Sequence, residues 1–303
     1  MSEVSPHMLQ CAEVWGGNDP VDRGVVMVGL DAWVYAQPTD AAEAGGDIHY
    51  LTSCATGRIT RMMVADVAGH GADVAPIARN LRTLIRRFMN YVDQSALVEG
   101  LNQEFAELTK DGRFATAIIG TYWAPTGMLD LTCAGHPPPL VYSARSGKWS
   151  LIQTQTELKG GDIPLGIIEG SSYAVFKTPL SAGDMVMLYS DALIEAKRAD
   201  GTLLTLAGLV EVVNSVQQIE AGALPRLILK AIRGRGYEID DDVTMLLVRP
   251  NSLVPKVSFA AGLAALGRIA RVFTGSLSKG ECGGLPELRK DSILGAVFAK
   301  FNR

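Results

Sequence analysis

Along the first seventy residues the apolar positions cluster in short runs and not in helical stripes. Residues 25–30 and 32–36 are apolar and rich in Val, and Ile59–Val67 (ITRMMVADV) runs into Ala68-Gly69-His70-Gly71. Short runs closed by glycine predict strands. The period then changes. Val74, Ile77, Ala78, Leu81, Leu84, Ile85 and Phe88 recur at helical spacing, with Arg79, Arg82, Arg86 and Arg87 mostly off that stripe, which predicts an amphipathic helix. A second helix is expected after Asp93, with Leu97, Leu101, Phe105 and Leu108 on one face.

From Phe114 the pattern becomes one of hairpins. Residues 116–123 and 129–133 flank the turn Pro125-Thr126-Gly127, and residues 140–143 and 149–152 flank Ser146-Gly147. Strands are predicted at 173–178 and 185–189, helices near 205–217 and 220–233, and a last strand at 243–248 directly after Asp240-Asp241-Asp242. Blocks of antiparallel strands with grouped helices predict an α+β layered domain, not a βαβ repeat.

Composition narrows the picture. At 48% hydrophobic and 20% charged, the 303-residue chain can bury a large core. A net charge of -4 argues against an unaided nucleic-acid binder. Residues 255–303 carry a net +5 and residues 1–254 a net -9. The expected division is therefore an acidic globular domain over 1–254 and a basic tail over 255–303. Within the tail, Ile293, Leu294, Val297, Phe298 and Phe301 form an apolar stripe among Lys290, Lys300 and Arg303. This predicts a short amphipathic helix that docks on its own domain, on a partner, or weakly on a membrane surface. Cys11, Cys54, Cys133 and Cys282 are too far apart for a zinc knuckle or a CxxC pair and read as free thiols of a reducing cytosol. The N-terminal residues lack a signal-peptide layout, and no run of 18 apolar residues occurs, so a cytoplasmic protein is expected.

The candidate chemistry lies in aspartates. Asp47 follows Gly45-Gly46, Asp66 ends the run MMVA, Asp191 ends MVMLYS, and Asp240-Asp241-Asp242 precede VTMLLV. Aspartates at the ends of neighbouring strands converge on one sheet edge, where their charges repel unless a cation sits among them. Hard oxygen ligands suit Mg²⁺ or Mn²⁺, and two such ions can ionise a water and hold a phosphoryl group without a protein nucleophile.

At these residues the chain resembles the bacterial branch of the protein phosphatase 2C superfamily, the stage II sporulation E and sigma-factor-regulator type. The resemblance rests on AAEAGGD (41–47), ADVAGHG (65–71), FATAIIG (114–120), CAGHPPPL (133–140), PLG (164–166), LSAGDMVMLYSDALIEA (180–196) and DDDVTMLLV (240–248). It implies an α-β-β-α sandwich of two antiparallel sheets flanked by helices, with two Mn²⁺ or Mg²⁺ ions at one end. Carried over by position, Asp66 would be shared by both ions and the Val67 carbonyl would help one. Asp47 would hold the second, and Asp191 and Asp241 the first, with Asp242 or Asp240 as substitute. Gly69, His70 and Gly71 would shape the turn after Asp66.

Ala192 stands where the family has Gly, and Ile48-His49-Tyr50 replaces an aromatic-led segment. The resemblance further implies a protein serine/threonine phosphatase acting on an anti-sigma-factor antagonist of STAS type. About 40 residues precede the first motif, too few for a sensor domain, so regulation by a partner in trans, regulation by the tail, or constitutive activity is expected. The rival expectations are a degenerate phosphatase fold that only binds a regulator, and an adaptor anchored to a membrane by its tail.

Overall fold

The chain forms thirteen strands and five helices within the residues that the computed structural model describes, which are 7–9, 14–39, 45–53, 57–69, 74–88, 91–109, 112–152, 163–217 and 220–253. The tail 255–303, His70, Gly71, Cys11, Cys54 and Cys282 lie outside the described residues. Cys133 is buried and free.

The first six strands are β1 (His7–Met8), β2 (Val14–Gly17), β3 (Val21–Met27), β4 (Leu30–Gln37), β5 (Asp47–Ser53) and β6 (Ile59–Val67). Two helices follow, α1 (Ala75–Phe88) and α2 (Gln94–Leu108), the second capped by the Asp93 carboxylate, which accepts from Ala96 N at 2.9 Å. Next come β7 (Ala115–Trp123), β8 (Met128–Ala134), β9 (Leu140–Ser143), β10 (Lys148–Leu151), β11 (Phe176–Pro179) and β12 (Met185–Tyr189). The short α3 (Ala192–Glu195), then α4 (Thr205–Ser215), α5 (Leu224–Gly234) and β13 (Val243–Pro250) complete the described chain.

A seven-stranded sheet runs β1-β3-β4-β13-β12-β9-β10, and a six-stranded sheet runs β11-β8-β7-β6-β5-β2. Three cores make the layers. Met63, Ala65, Ile85 and Leu101 belong to the core between the six-stranded sheet and α1–α2. Met187, Met245, Val212 and Ile228 belong to that between the seven-stranded sheet and α3–α5. Met62, Val64, Ile118, Leu188 and Leu246 fill the space between the sheets. The expected α-β-β-α sandwich is therefore the observed fold. Each sheet is covered on both faces, which is why β6 reads as one apolar run with no alternation. Full burial of each such Leu, Ile or Met contributes about 1.5–3 kcal/mol relative to exposure.

The departures are local. β1 pairs with β3 in parallel, so the larger sheet is not wholly antiparallel. The apolar run at 25–30 spans a hairpin turn at Val28-Gly29, because both flanking strands are equally apolar. The strand expected at 173–178 is reduced to Phe176–Pro179. β2 (VWGG) and β5 (DIHYLTS) carry weak strand signals, yet every residue of β5 is buried between its neighbours. No helix among the described residues is long and apolar enough to cross a membrane.

Candidate metal centre between the sheets

Strand register places the acidic residues. Asp47 lies opposite Asp66, and Asp66 lies opposite Thr116. Residues directly opposite share a face of the sheet. Val64 and Ile118, two residues along, belong to the core between the sheets. The two-residue period thus turns Asp47, Asp66 and Thr116 toward the facing sheet. There, Leu188 and Leu246 lie in the same core, and the same period points Ser190 and Thr244 inward. The apolar filling between the sheets ends in carboxylates and hydroxyls at one edge.

The residues that follow close the mouth. Asp191 occupies the turn after β12 and begins α3. Asp241 lies two residues before β13. Asp242 is engaged by backbone: its Oδ1 accepts from Thr39 N and its Oδ2 from Gly46 N, both at 2.7 Å. It tethers the loop that delivers Asp47. A Cβ on Gly45 would fall 2.1 Å from Asp242 Oδ2, so this approach requires glycine. Asp240 is exposed and Asp241 accepts from Asp242 N at 2.8 Å.

Mutual proximity shows in the acidities. Burial, then the Asp66 charge, raises the Asp47 carboxyl well above its usual range, while the hydroxyls of Thr244 and Ser190 oppose the rise. Asp66 is pushed up to about 7, first by burial and then by Asp191, Asp241, Asp242 and Glu195. Asp191 is raised by burial and by Glu195 and Asp241. Acids from both sheets therefore repel one another across the mouth.

The residues fit a hard cation. Asp47 Oδ2 is buried with no hydrogen-bond partner, a costly state for an anionic oxygen. A Cβ on Gly46 would come 3.3 Å from Asp66 Oδ1 and 3.4 Å from the Val67 carbonyl, so these two oxygens border one small cradle. Among the described residues no group of three His, Cys, Asp or Glu side chains forms a ready ligand set. Mg²⁺-like ions take one or two carboxylates and complete their shell with water, so pairs of oxygens meet the requirement.

Of the residues singled out from the sequence, Asp47, Asp66, Asp191 and Asp241 are brought together, with the Val67 carbonyl at the cradle and Asp242 serving as tether. Gly69 turns the chain after Asp66 with φ 129°. Ala192 is helical, and Thr205 is the one non-glycine residue with positive φ among the described residues, so the methyl group fits. Sequence reasoning missed the Ser190 and Thr244 hydroxyls and Glu195. Their signal was positional, two residues beyond an inward apolar residue in β12 and β13 and one helical turn after Asp191. A groove of about 680 Å³ opens beside Asp241, lined by Pro20, Pro38, Leu229, Ile239 and Arg233.

Two stacked sheets between helical layers, with aspartates at one end of the inter-sheet space, define a protein phosphatase 2C-type sandwich. Residues 56–251 match the family model of stage II sporulation protein E, and the chain belongs to that family. It is 24% identical over 191 residues to the phosphoserine phosphatase RsbU of Bacillus subtilis (strain 168), covering 61% of this chain and 54% of that protein. The chain thus spans about half the length of that relative. The structure of the RsbU and RsbW domains of a Mycobacterium tuberculosis protein superposes with a TM-score of 0.63 at 23% identity, covering 94% of this chain and 76% of that one. RsbX in complex with magnesium gives a TM-score of 0.53 at 17% identity, covering 73% of this chain and 96% of that one. At these identities the solved structures speak to the fold.

Proposed function

We propose that this chain is a metal-dependent protein serine/threonine phosphatase that hydrolyses phosphoserine or phosphothreonine on a regulatory protein. The observation that carries the reading is the convergence on Asp66 of Asp191 and Asp241 from the facing sheet, with Asp47 paired beside it and carrying a buried, unpartnered carboxylate oxygen. Asp47, Asp66, Asp191 and Asp241, with the Val67 carbonyl, would hold two Mg²⁺ or Mn²⁺ ions. When bound, such ions supply Lewis acidity toward the phosphoryl group and a water ionised at neutral pH.

The chain's own residues do the rest. The four carboxylates supply the negative charge that gathers the cations, and they reach the mouth from both sheets. Ser190 and Thr244 favour the ionised form of Asp47. Asp242 holds the Asp47 loop in place. The groove beside Asp241 offers apolar walls and the Arg233 guanidinium to the polypeptide that carries the phosphate. Phosphoserine as substrate is supported by the RsbU relative, which is named a phosphoserine phosphatase. An anti-sigma-factor antagonist of STAS type is the protein substrate that the family resemblance favours. The retention of all four carboxylates speaks against a binding module without turnover.

Hydrolysis of p-nitrophenyl phosphate and of a phosphoserine STAS-type protein, each with Mn²⁺ and with excess EDTA, tests the reading. Activity that EDTA abolishes and Mn²⁺ restores is expected. Turnover that persists in excess chelator would refute it.

A further inference from the structure

His136 sits where the chain leaves the six-stranded sheet, just after β8, and crosses toward β9 in the other sheet. Its ring is 4% exposed and bonded at both nitrogens: Nε2 lies 2.8 Å from the Tyr189 carbonyl and Nδ1 lies 2.9 Å from Thr116 Oγ1. A carbonyl only accepts, so Nε2 carries the proton, and Nδ1 accepts from the Thr116 hydroxyl. Burial holds the imidazole's pKa down to about 4, in keeping with this neutral form. Tyr189 is gripped twice, because its own hydroxyl donates to the Pro138 carbonyl at 2.9 Å.

The two anchor points matter. Thr116 is the cross-strand partner of Asp66 in the six-stranded sheet. Tyr189 ends β12 in the seven-stranded sheet, two residues before Asp191. One rigid ring therefore links the cross-strand partner of Asp66 in one sheet to the residue two before Asp191 in the other. A second tie of this kind, Asn214 to the Trp149 backbone, lies far along the seven-stranded sheet and touches none of these aspartates.

We infer that His136 is a positioning residue that sets the separation of Asp66 and Asp191, and through it the affinity of the site for divalent cations. The inference rests on the reading of the carboxylates as a cation site. Groups that orient ligands from behind typically change metal affinity tenfold to a hundredfold when removed.

The test is Mn²⁺ binding to the full chain, followed by the electron paramagnetic resonance signal of free Mn²⁺, with thermal melts beside it. Wild-type protein is measured first; if it binds no Mn²⁺, the cation site itself is refuted and this inference falls with it. His136→Phe keeps the ring volume and loses both hydrogen bonds, and a Kd weakened by about tenfold or more is expected. His136→Gln keeps a donor for Tyr189 and should recover part of the loss. Thr116→Val cuts the same link from its other end, should weaken binding likewise, and serves if the histidine variants fail to fold. Asn214→Ala should lower Tm with Mn²⁺ affinity unchanged. Native affinity in Thr116→Val and His136→Phe, or a loss in Asn214→Ala matching its fall in Tm, would overturn the inference.

Discussion

Asp66 is a half-buried carboxylate facing acids from both sheets. Repulsion of this kind costs stability whenever no cation offsets it. Asp66→Asn should therefore raise Tm at pH 8 in EDTA by several degrees, while cutting Mn²⁺-dependent turnover at least about a hundredfold. Asp240→Asn, on the exposed rim, should alter neither by much. Melts and p-nitrophenyl phosphate assays of the two variants check this, and equal behaviour would remove Asp66 from its central role. His136 contributes to the acid limb, as does His49, which burial and then Arg82 likewise hold down to about 4. Above pH 6.5 the His136 imidazole is neutral in both folded and unfolded chains, so it contributes nothing to the balance. Between 6.5 and about 4 the unfolded chain takes up a proton that the buried ring refuses, and stability falls as pH falls. The full loss is about 3 kcal/mol. Urea titrations at pH 7 and pH 4 should show His136→Phe losing less stability than wild type by roughly that amount.

Each site residue is delivered by an element whose shape depends on a distant partner. The loop before β5 is the clearest case, since Asp242, at the entry to β13, holds it by two backbone amides. Gly45→Ala would drive a methyl group into that carboxylate. Expected is a fall in Mn²⁺-dependent turnover of about tenfold or more, from displacement of Asp47, with a change in Tm of no more than a few degrees. Unchanged kinetics would show that the tether does not position Asp47. Such long-range dependence marks the limit of what single stretches of sequence reveal. β6, β12 and α1 were legible because a sustained period or apolar run spelled them out. β5 was not, since its strand character comes from neighbours that bury DIHYLTS on every side. Asp66 and Asp191 were legible through the apolar runs they end, Asp241 through the run it precedes, and Asp47 through the glycine pair before it. The tether role of Asp242 was not, because nothing local separates it from Asp240 and Asp241.

For the molecule as a whole, ligand binding and folding are one equilibrium. Cations that bind the folded chain alone add about 2.7 kcal/mol at a hundredfold excess over Kd. Mn²⁺ should accordingly raise Tm by about 5–10 °C over the EDTA-treated protein. A scan that shows no rise would argue against a preformed site. Asp66→Asn should blunt the shift, which separates binding at the mouth from adventitious surface binding.

The place of β13 in its sheet has a consequence for biosynthesis. It is the last strand of the described chain, yet it lies between β4 and β12. A ribosome that has not yet released residues 243–250 holds a nascent chain in which β4 and β12 each present a bare strand edge. Such edges invite pairing with other chains, so this stretch of synthesis is the exposed moment for aggregation. A fragment cut short of β13 is expected to expose both edges and, on the function proposed above, to lack turnover, because Asp241 and Asp242 are then no longer held by the sheet.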